Sequence, residues 1–412
     1  MIDANKLTKN LKDELIGFDF EQDTAYHMDA ALLGEYLKRH YCFPRKVGHK
    51  LKTYSGATLT LDGSIEKLHF TDGSTETADL YIDCTGFKSE LLSVLMKEPF
   101  VSFSKILKND RAVAARIDYV DIEREMEVST NAIALSSGWV WNIPLFNRIG
   151  TGYVYSSAFL DPSAAEDEFR QFLTRRGSVD RTERDLGDID FFHISIRQGF
   201  HRRSWVKNVI GIGLSNGFIE PLESTGLMLT HESIFLLLDA LGQRRLLYNS
   251  LDVASYNNAV RDTMNHFSTF IALHYALAER SDTPYWKHIT EEVDYTADHD
   301  SIPFANVLPI MKDGAYTNLS GIPYILSGMK GTNRSLSSIE HLTRSSIRNN
   351  YNDTVNFAAV DIDMDKFRTD CKNFLHELEA RQERNCRALA KMSSHYEFLK
   401  EHIYHNSKGV TP

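Results

Sequence analysis

The hydrophobic positions of this chain change period several times. Between Ala30 and Tyr41 they recur at Leu32, Leu33, Tyr36 and Leu37, the spacing of an amphipathic helix. From Lys50 to Phe87 the pattern becomes strand-like. Thr58–Leu61 and Lys67–Phe70 flank an Asp62-Gly63 turn signal and Asp72-Gly73 comes after them, which predicts a β-meander. Asp79–Asp83 predicts another short strand, ending at Cys84-Thr85-Gly86-Phe87. Alternation returns in Arg111–Tyr119, Ile133–Leu135, Trp139–Ile143 and Gly152–Ser156, the expected strands of a mixed or antiparallel sheet. Asp161–Arg175 opens on Asp-Pro-Ser and places Ala165, Phe169 and Phe172 at helical spacing. From Leu227 the chain reads as mainly helical, with Leu227–Leu241, Ser255–Arg280 and Met364–His402 as candidates. Pro284 and Pro303 break the region between, and Ser335–Ser346 reads as a Ser/Thr-rich connection. The pattern predicts a mixed α/β chain, with βαβ-like elements and a sheet first and helices last.

Composition narrows the class. With 412 residues, 42% of them hydrophobic, the chain can bury a large core of one or two domains. A net charge of −10 argues against general nucleic-acid binding, and His201-Arg202-Arg203 is too short to reverse that. Cys42, Cys84, Cys371 and Cys386 lie far apart with no CxxC pair. Neither a metal site nor a disulfide framework is expected, and a reducing cytoplasm fits. The N-terminus lacks the apolar core of a signal peptide, and the longest apolar run, Ile234–Leu238, is too short to span a membrane. A cytoplasmic protein without membrane contact is the expectation.

The candidate chemistry is concentrated in Asn208–Gly226. An apolar strand (Val209, Ile210, Ile212) enters a turn spaced by Gly211, Gly213 and Gly217. Glu220-Pro221 and Glu223 come next, then Ser224, Thr225 and Gly226, where a helix starts. A strand, a glycine-rich turn and a helix N-terminus leave backbone N–H groups free for an anion or a phosphate-bearing cofactor. Glu223 reads equally well as a carboxylate favouring the helix dipole and as a positioned general base. Gly86 marks a second strand end more than 120 residues earlier. Together the two glycine-marked ends suit an extended dinucleotide gripped from two sides. Trp139 and Trp141 share one strand face, which suits either an aromatic core stripe or a wall beside a flat aromatic ligand.

These segments resemble the flavin-dependent halogenases of the tryptophan halogenase family. Tyr26-His27-Met28-Asp29, Tyr81–Phe87, Gly138–Ser157, Arg202–Gly226 and Phe270–Trp286 look like family segments in family order, and Ser393-Ser394-His395 with Phe398 looks similar to a family ending. The WxWxIP signature is met by Trp139, Trp141, Ile143 and Pro144. The resemblance implies an FAD-binding monooxygenase-like fold with mixed sheets. It places a partial FAD-binding and halogenase core at 1–240 and a mainly helical substrate side at 241–412. It further implies reduced FAD supplied by a separate flavin reductase, oxygen and a halide ion, and a hypohalous acid that halogenates a small electron-rich aromatic substrate of the tryptophan, indole or phenol kind.

The resemblance also carries residue roles. Glu223 matches the active-site glutamate, and the amides of Thr225 and Gly226 would seat the halide. Gly86, Gly213, Leu214 and Leu227 would meet the flavin, and Trp139, Trp141, Pro144 and Ser224 would form the active-site wall. The departure from the family lies at the start. The GxGxxG fingerprint and the family's essential lysine have no counterpart, since none of Lys6, Lys9 and Lys12 stands in such a motif. A truncated fold is therefore expected. It would be completed by a separate N-terminal polypeptide, and its uncovered sheet edge would lead to poor solubility or a homo-oligomer. A non-catalytic binding remnant and a hydroxylating flavin monooxygenase are the other readings. For the substrate pocket, Trp286, Tyr316 and Tyr324 are the aromatic candidates.

Overall fold

The computed structural model describes residues 25–174, 186–187, 189–242, 248–295 and 391–404, with Lys12 and scattered positions between 372 and 389. Ser335–Ser346, Pro303, Tyr316, Tyr324 and much of Met364–His402 lie outside the described residues.

Helix α1 (Ala30–Leu37) begins where the Asp29 carboxylate accepts from the amides of Ala31 and Leu32. It passes through a wider turn at Lys38–Cys42 and ends around Pro44, which has no N–H to continue the ladder. The predicted meander is present as β1 (Tyr54–Leu59), β2 (Ile65–Phe70) and β3 (Thr75–Glu76), an antiparallel sheet in the order β1-β2-β3. Its Asp-Gly turns work as the sequence suggests: at the second, the Asp72 carboxylate accepts from the Ser74 amide at 2.9 Å.

Two short sheets carry the glycine-marked loops. Strand β4 (Tyr81–Asp83) pairs in parallel with β13 (Val209–Gly211), Ile82 opposite Ile210, and β12 (Trp205–Val206) lies antiparallel on the far side of β13. Asn208 ties this sheet to the meander, its amide bonding both the N–H and the carbonyl of Ile65 at 2.8 and 2.9 Å. Strands β5 (Phe100–Ser102), β11 (Gly199–His201) and β14 (Gly217–Phe218) form another antiparallel sheet, in the order β14-β11-β5.

The central sheet is wholly antiparallel: β6 (Arg111–Ile117), β7 (Asn131–Leu135), β8 (Gly138–Pro144), β9 (Ile149–Tyr155) and β10 (Phe192–Ser195), in the order β10-β6-β9-β8-β7. After the short α2 (Ile122–Glu125), helix α3 (Pro162–Thr174) covers one face, burying Ala165, Phe169 and Leu173 against Val113, Val140 and Tyr153. The other face, through Ala112, Trp139 and Val154, joins a core shared with α4 (Gly226–Gly242) and α5 (Ser250–Ala276). Alternate residues of one strand thus serve two cores, as the period of two requires. Helix α5 starts five residues before the expected Ser255 because Asn249 and Asp252 close a capping box. The short helices α6 (Pro284–Lys287) and α7 (His395–Leu399) complete the described elements.

One position in the central sheet depends on lacking a side chain. A Cβ at Gly152 would fall 2.1 Å from the Trp141 indole. Gly152→Ala is therefore expected to destabilise the chain by about 1–3 kcal/mol through overpacking. A denaturant midpoint equal to wild type would show that Trp141 can move aside.

Helix α4 keeps Leu227, Ile234, Phe235 and Leu238 exposed. Among the described residues, no helix is long and apolar enough to cross a membrane, and no group of three His, Cys, Asp or Glu side chains could hold a metal ion.

Candidate active site

The parallel β4–β13 pair brings the two glycine-marked strand ends side by side. Asp83, fully buried at the end of β4, organises the loop that leaves this strand. Its carboxylate accepts from Thr85 N and Oγ1 at 3.0 and 2.6 Å and from the amides of Leu91 and Leu92 at 2.9 Å each. The loop between passes through Gly86 at φ +71°, and the matching loop after β13 passes through Gly213 at φ +68°, conformations that favour glycine. The loops are hooked together internally. The Ser89 hydroxyl donates to Ser215 O at 2.7 Å, and the Ser215 hydroxyl donates to the backbone carbonyl of Asp83. No side-chain or backbone atom would touch a Cβ at Gly86, so the loop surface is open, and Phe87, Leu214 and Leu227 are exposed beside it.

Beyond β14 the chain turns sharply. Pro221–Glu223 forms a single 3₁₀ turn, Ser224 adopts the left-handed region at φ +55°, and α4 starts at Gly226. Among the described residues, the amides of Thr225 and Gly226 have no acceptor. The Thr225 hydroxyl, in a residue only 3% exposed, also lacks a partner. Unpaired amides at a helix N-terminus and an orphaned buried hydroxyl are the donor set that a small anion satisfies.

Two carboxylates pin this turn, in opposite environments. Glu220 is completely buried. It accepts from Asn109 Nδ2 at 2.8 Å, Trp139 Nε1 at 3.0 Å and Tyr275 OH at 2.7 Å, and its own amide donates to Gln198 Oε1 at 3.1 Å. Tyr285 OH closes the network on Asn109 Oδ1 at 3.0 Å. Burial raises the Glu220 pKa and outweighs the hydrogen bonds that lower it; burial, with the Glu220 charge second, also holds the Tyr275 and Tyr285 phenols well above their ordinary value. Glu223, by contrast, is exposed, and its Oε1 lies 2.8 Å from His274 Nε2.

The raised Glu220 pKa has a consequence for stability. Between the unfolded value, about 4.3, and the higher folded value, the native state holds a proton that the unfolded chain has released. The associated stability is fully present below the unfolded pKa and declines as pH rises toward the folded one. Wild type is expected to lose unfolding free energy over that window, and Glu220→Gln to show a flatter profile. Parallel pH profiles for the two chains would contradict this assignment.

The residues singled out in the sequence fall into two groups. Gly86, Gly213, Leu214, Ser224, Thr225, Gly226 and Leu227 gather around the paired loops and the start of α4, with Glu223 at the turn. The tryptophan pair is divided: Trp139 is buried and bonded to Glu220, Trp141 is half-buried with its ring centroid 6.3 Å from that of Trp139, and Pro144 is buried at the end of β8. Trp286 is buried too, donating to Leu135 O at 2.7 Å. The sequence pattern assigns no role to Asn109, Gln198, Glu220, His274 or Tyr275. Glu220 stands in the glycine-spaced stretch but carries no signal of burial, Asn109 and Gln198 lie in distant elements with no motif of their own, and His274 and Tyr275 fall in the family-like Phe270–Trp286 segment without a role read for them.

The chain belongs to the tryptophan halogenase family, whose profile matches residues 1–302. Tryptophan 7-halogenase KtzQ from Kutzneria sp. (strain 744) is 36% identical over 267 residues, 65% of this chain and 48% of that protein. The chain thus spans about half the length of the curated relatives it matches. Among solved structures, the apo structure of VirX1 is 37% identical with a TM-score of 0.79, covering 98% of this chain and 74% of that one. Tryptophan 6-halogenase SttH from Streptomyces toxytricini is 28% identical with a TM-score of 0.73, covering 97% and 75%. The mixed α/β architecture is therefore that of the flavin-dependent halogenases.

Proposed function

We propose that this chain carries the halogenating side of a flavin-dependent halogenase and acts on an electron-rich aromatic ring of the tryptophan, indole or phenol kind. The observation that carries the reading is the adjacency of Glu223 to the unpaired donors of Thr225 and Gly226, next to the two paired glycine loops.

The donor set fits a halide: two backbone amides, a buried hydroxyl and the positive end of a 17-residue helix, with no side-chain cation needed. The loops fit the flavin end of FAD. Gly86 and Gly213 would let its ring system approach the backbone, and Leu214 and Leu227 would lie against it. When bound, reduced FAD, delivered by a separate reductase, supplies the activation of oxygen that oxidises the halide to hypohalous acid. The protein holds the halide at the start of α4 and keeps Glu223 beside the path of the electrophile. Trp141 and Ser224 flank that path. Trp139 and Pro144 back it from the core, Trp139 by fixing Glu220 and with it the turn.

The 412 residues contain no GxGxxG for the ADP end of FAD, so the assay supplies one. The test is a bromination assay on the full chain with reduced FAD, oxygen, bromide and indole, with and without an added polypeptide bearing GxGxxG and the family lysine. Brominated indole in the supplemented reaction is expected. A hydroxylated product formed without halide would instead identify a monooxygenase. Absence of both product and flavin binding in either arm would leave a non-catalytic binding protein.

A further inference from the structure

The partners of His274 determine where protons sit in this site. Its Nδ1 lies 3.0 Å from the carbonyl oxygen of Phe270, one helical turn back, and its Nε2 lies 2.8 Å from Glu223 Oε1. A carbonyl oxygen only accepts, so Nδ1 must carry a hydrogen to make that bond. In the neutral ring Nε2 is then a bare acceptor, and an ionised carboxylate opposite it would set two acceptors against each other. The contact is satisfied only if one further proton lies between them, as imidazolium facing carboxylate or as neutral imidazole facing carboxylic acid. The helix that carries His274 is tied to the same turn at a second point. The next residue on α5, Tyr275, donates to Glu220 at 2.7 Å, so consecutive side chains of one helix grip two carboxylates of one turn. The His274 side chain is only 14% exposed, while that of Glu223 is 43% exposed, so Glu223 is the member of the pair that faces solvent.

We propose that Glu223 and His274 form a one-proton pair, with His274 the positioning residue that keeps a proton available on Glu223. This rests on the halogenase reading above and adds to it. In the step the pair would serve, Glu223 gives its proton to the hydroxyl oxygen of the hypohalous acid as the oxygen–halogen bond breaks. The aromatic carbon takes the halogen, and water leaves. The halogenated ring, now cationic, returns its proton to Glu223 and regains aromaticity. One proton is lent and recovered, and the sum is ring C–H plus hypohalous acid giving ring C–halogen plus water. A lone carboxylate could perform only the second half, so the histidine turns a base into an acid that becomes a base.

Two measurements on the full chain test this. Nitrogen-15 NMR of its histidines, assigned with His274→Gln, needs neither flavin nor turnover. We expect a ring protonated at Nδ1, with Nε2 coupled to a proton shared with the carboxylate, and loss of that coupling in Glu223→Gln. An unprotonated Nδ1 would overturn the pair whatever the activity. In the supplemented bromination assay, His274→Gln is expected to lower kcat by about 10²-fold with KM for the aromatic substrate unchanged. An unchanged kcat would overturn the role of His274. Lack of bromination by wild type, with the NMR signature intact, would refute the halogenase reading alone.

Discussion

Asp83→Ala is expected to be the most destabilising single substitution around the β4–β13 pair, costing about 3–5 kcal/mol. The side chain is completely inaccessible and accepts four hydrogen bonds, two of them from the amides of Leu91 and Leu92. Those amides open a wider helical turn, Glu90–Leu95, whose first residues have no intrahelical acceptor. Without the carboxylate, two buried N–H groups lose their partner at about 1–3 kcal/mol each. The Thr85 contacts go with them, and with these the shape of the loop carrying Gly86. Asp83→Asn keeps one acceptor oxygen and should cost roughly half as much. Guanidinium denaturation checks both. A midpoint shift for Asp83→Ala equivalent to less than about 1 kcal/mol would mean that water replaces the carboxylate, and would remove Asp83 as the organiser of the loop.

The second large effect is on activity. If the chain acts as proposed, Glu223→Gln is expected to reduce bromination in the supplemented assay by about 10²- to 10⁴-fold in kcat. Stability should stay within about 0.5 kcal/mol of wild type, because an exposed side chain with one partner contributes little to the fold. An amide can still donate to His274 Nε2, so the turn keeps its shape and the loss isolates proton transfer from geometry. Product formation at the wild-type rate would place the proton-handling group elsewhere. A collapse in stability together with activity would make Glu223 structural.

How much of this was legible in the sequence depended on the length of each signal. The meander was readable because Asp62-Gly63 and Asp72-Gly73 fix its turns locally. The central sheet was readable because β6, β8 and β9 are seven residues long, enough for alternation to show. Strands β11 to β14 have two or three residues each, and no period is defined over so short a run; only β13, whose apolar residues lead into the glycine-spaced turn, was legible as part of a strand. The pairing of the two glycine-marked ends came from chemistry, since one dinucleotide must be reached by both. Glu220 shows the opposite limit. Its partners Asn109, Trp139 and Tyr275 lie 111, 81 and 55 residues away, so its burial is a property of the assembled fold alone. His274 is 51 residues from Glu223, and nothing in a histidine on a helix shows which carboxylate it meets.

The hook between Ser89 and Ser215 joins residues 126 positions apart, and the whole central sheet lies between them. Contacts of that separation carry a heavy chain-closure entropy and form late. The paired glycine loops should therefore be the last part of the chain to acquire their native shape. In a refolding experiment, burial of the tyrosines in the central sheet should precede native-like protection of the Leu91 and Leu92 amides. A chain arrested between those stages would hold a finished scaffold with an unfinished site, so correct secondary structure alone is a poor criterion for a competent preparation.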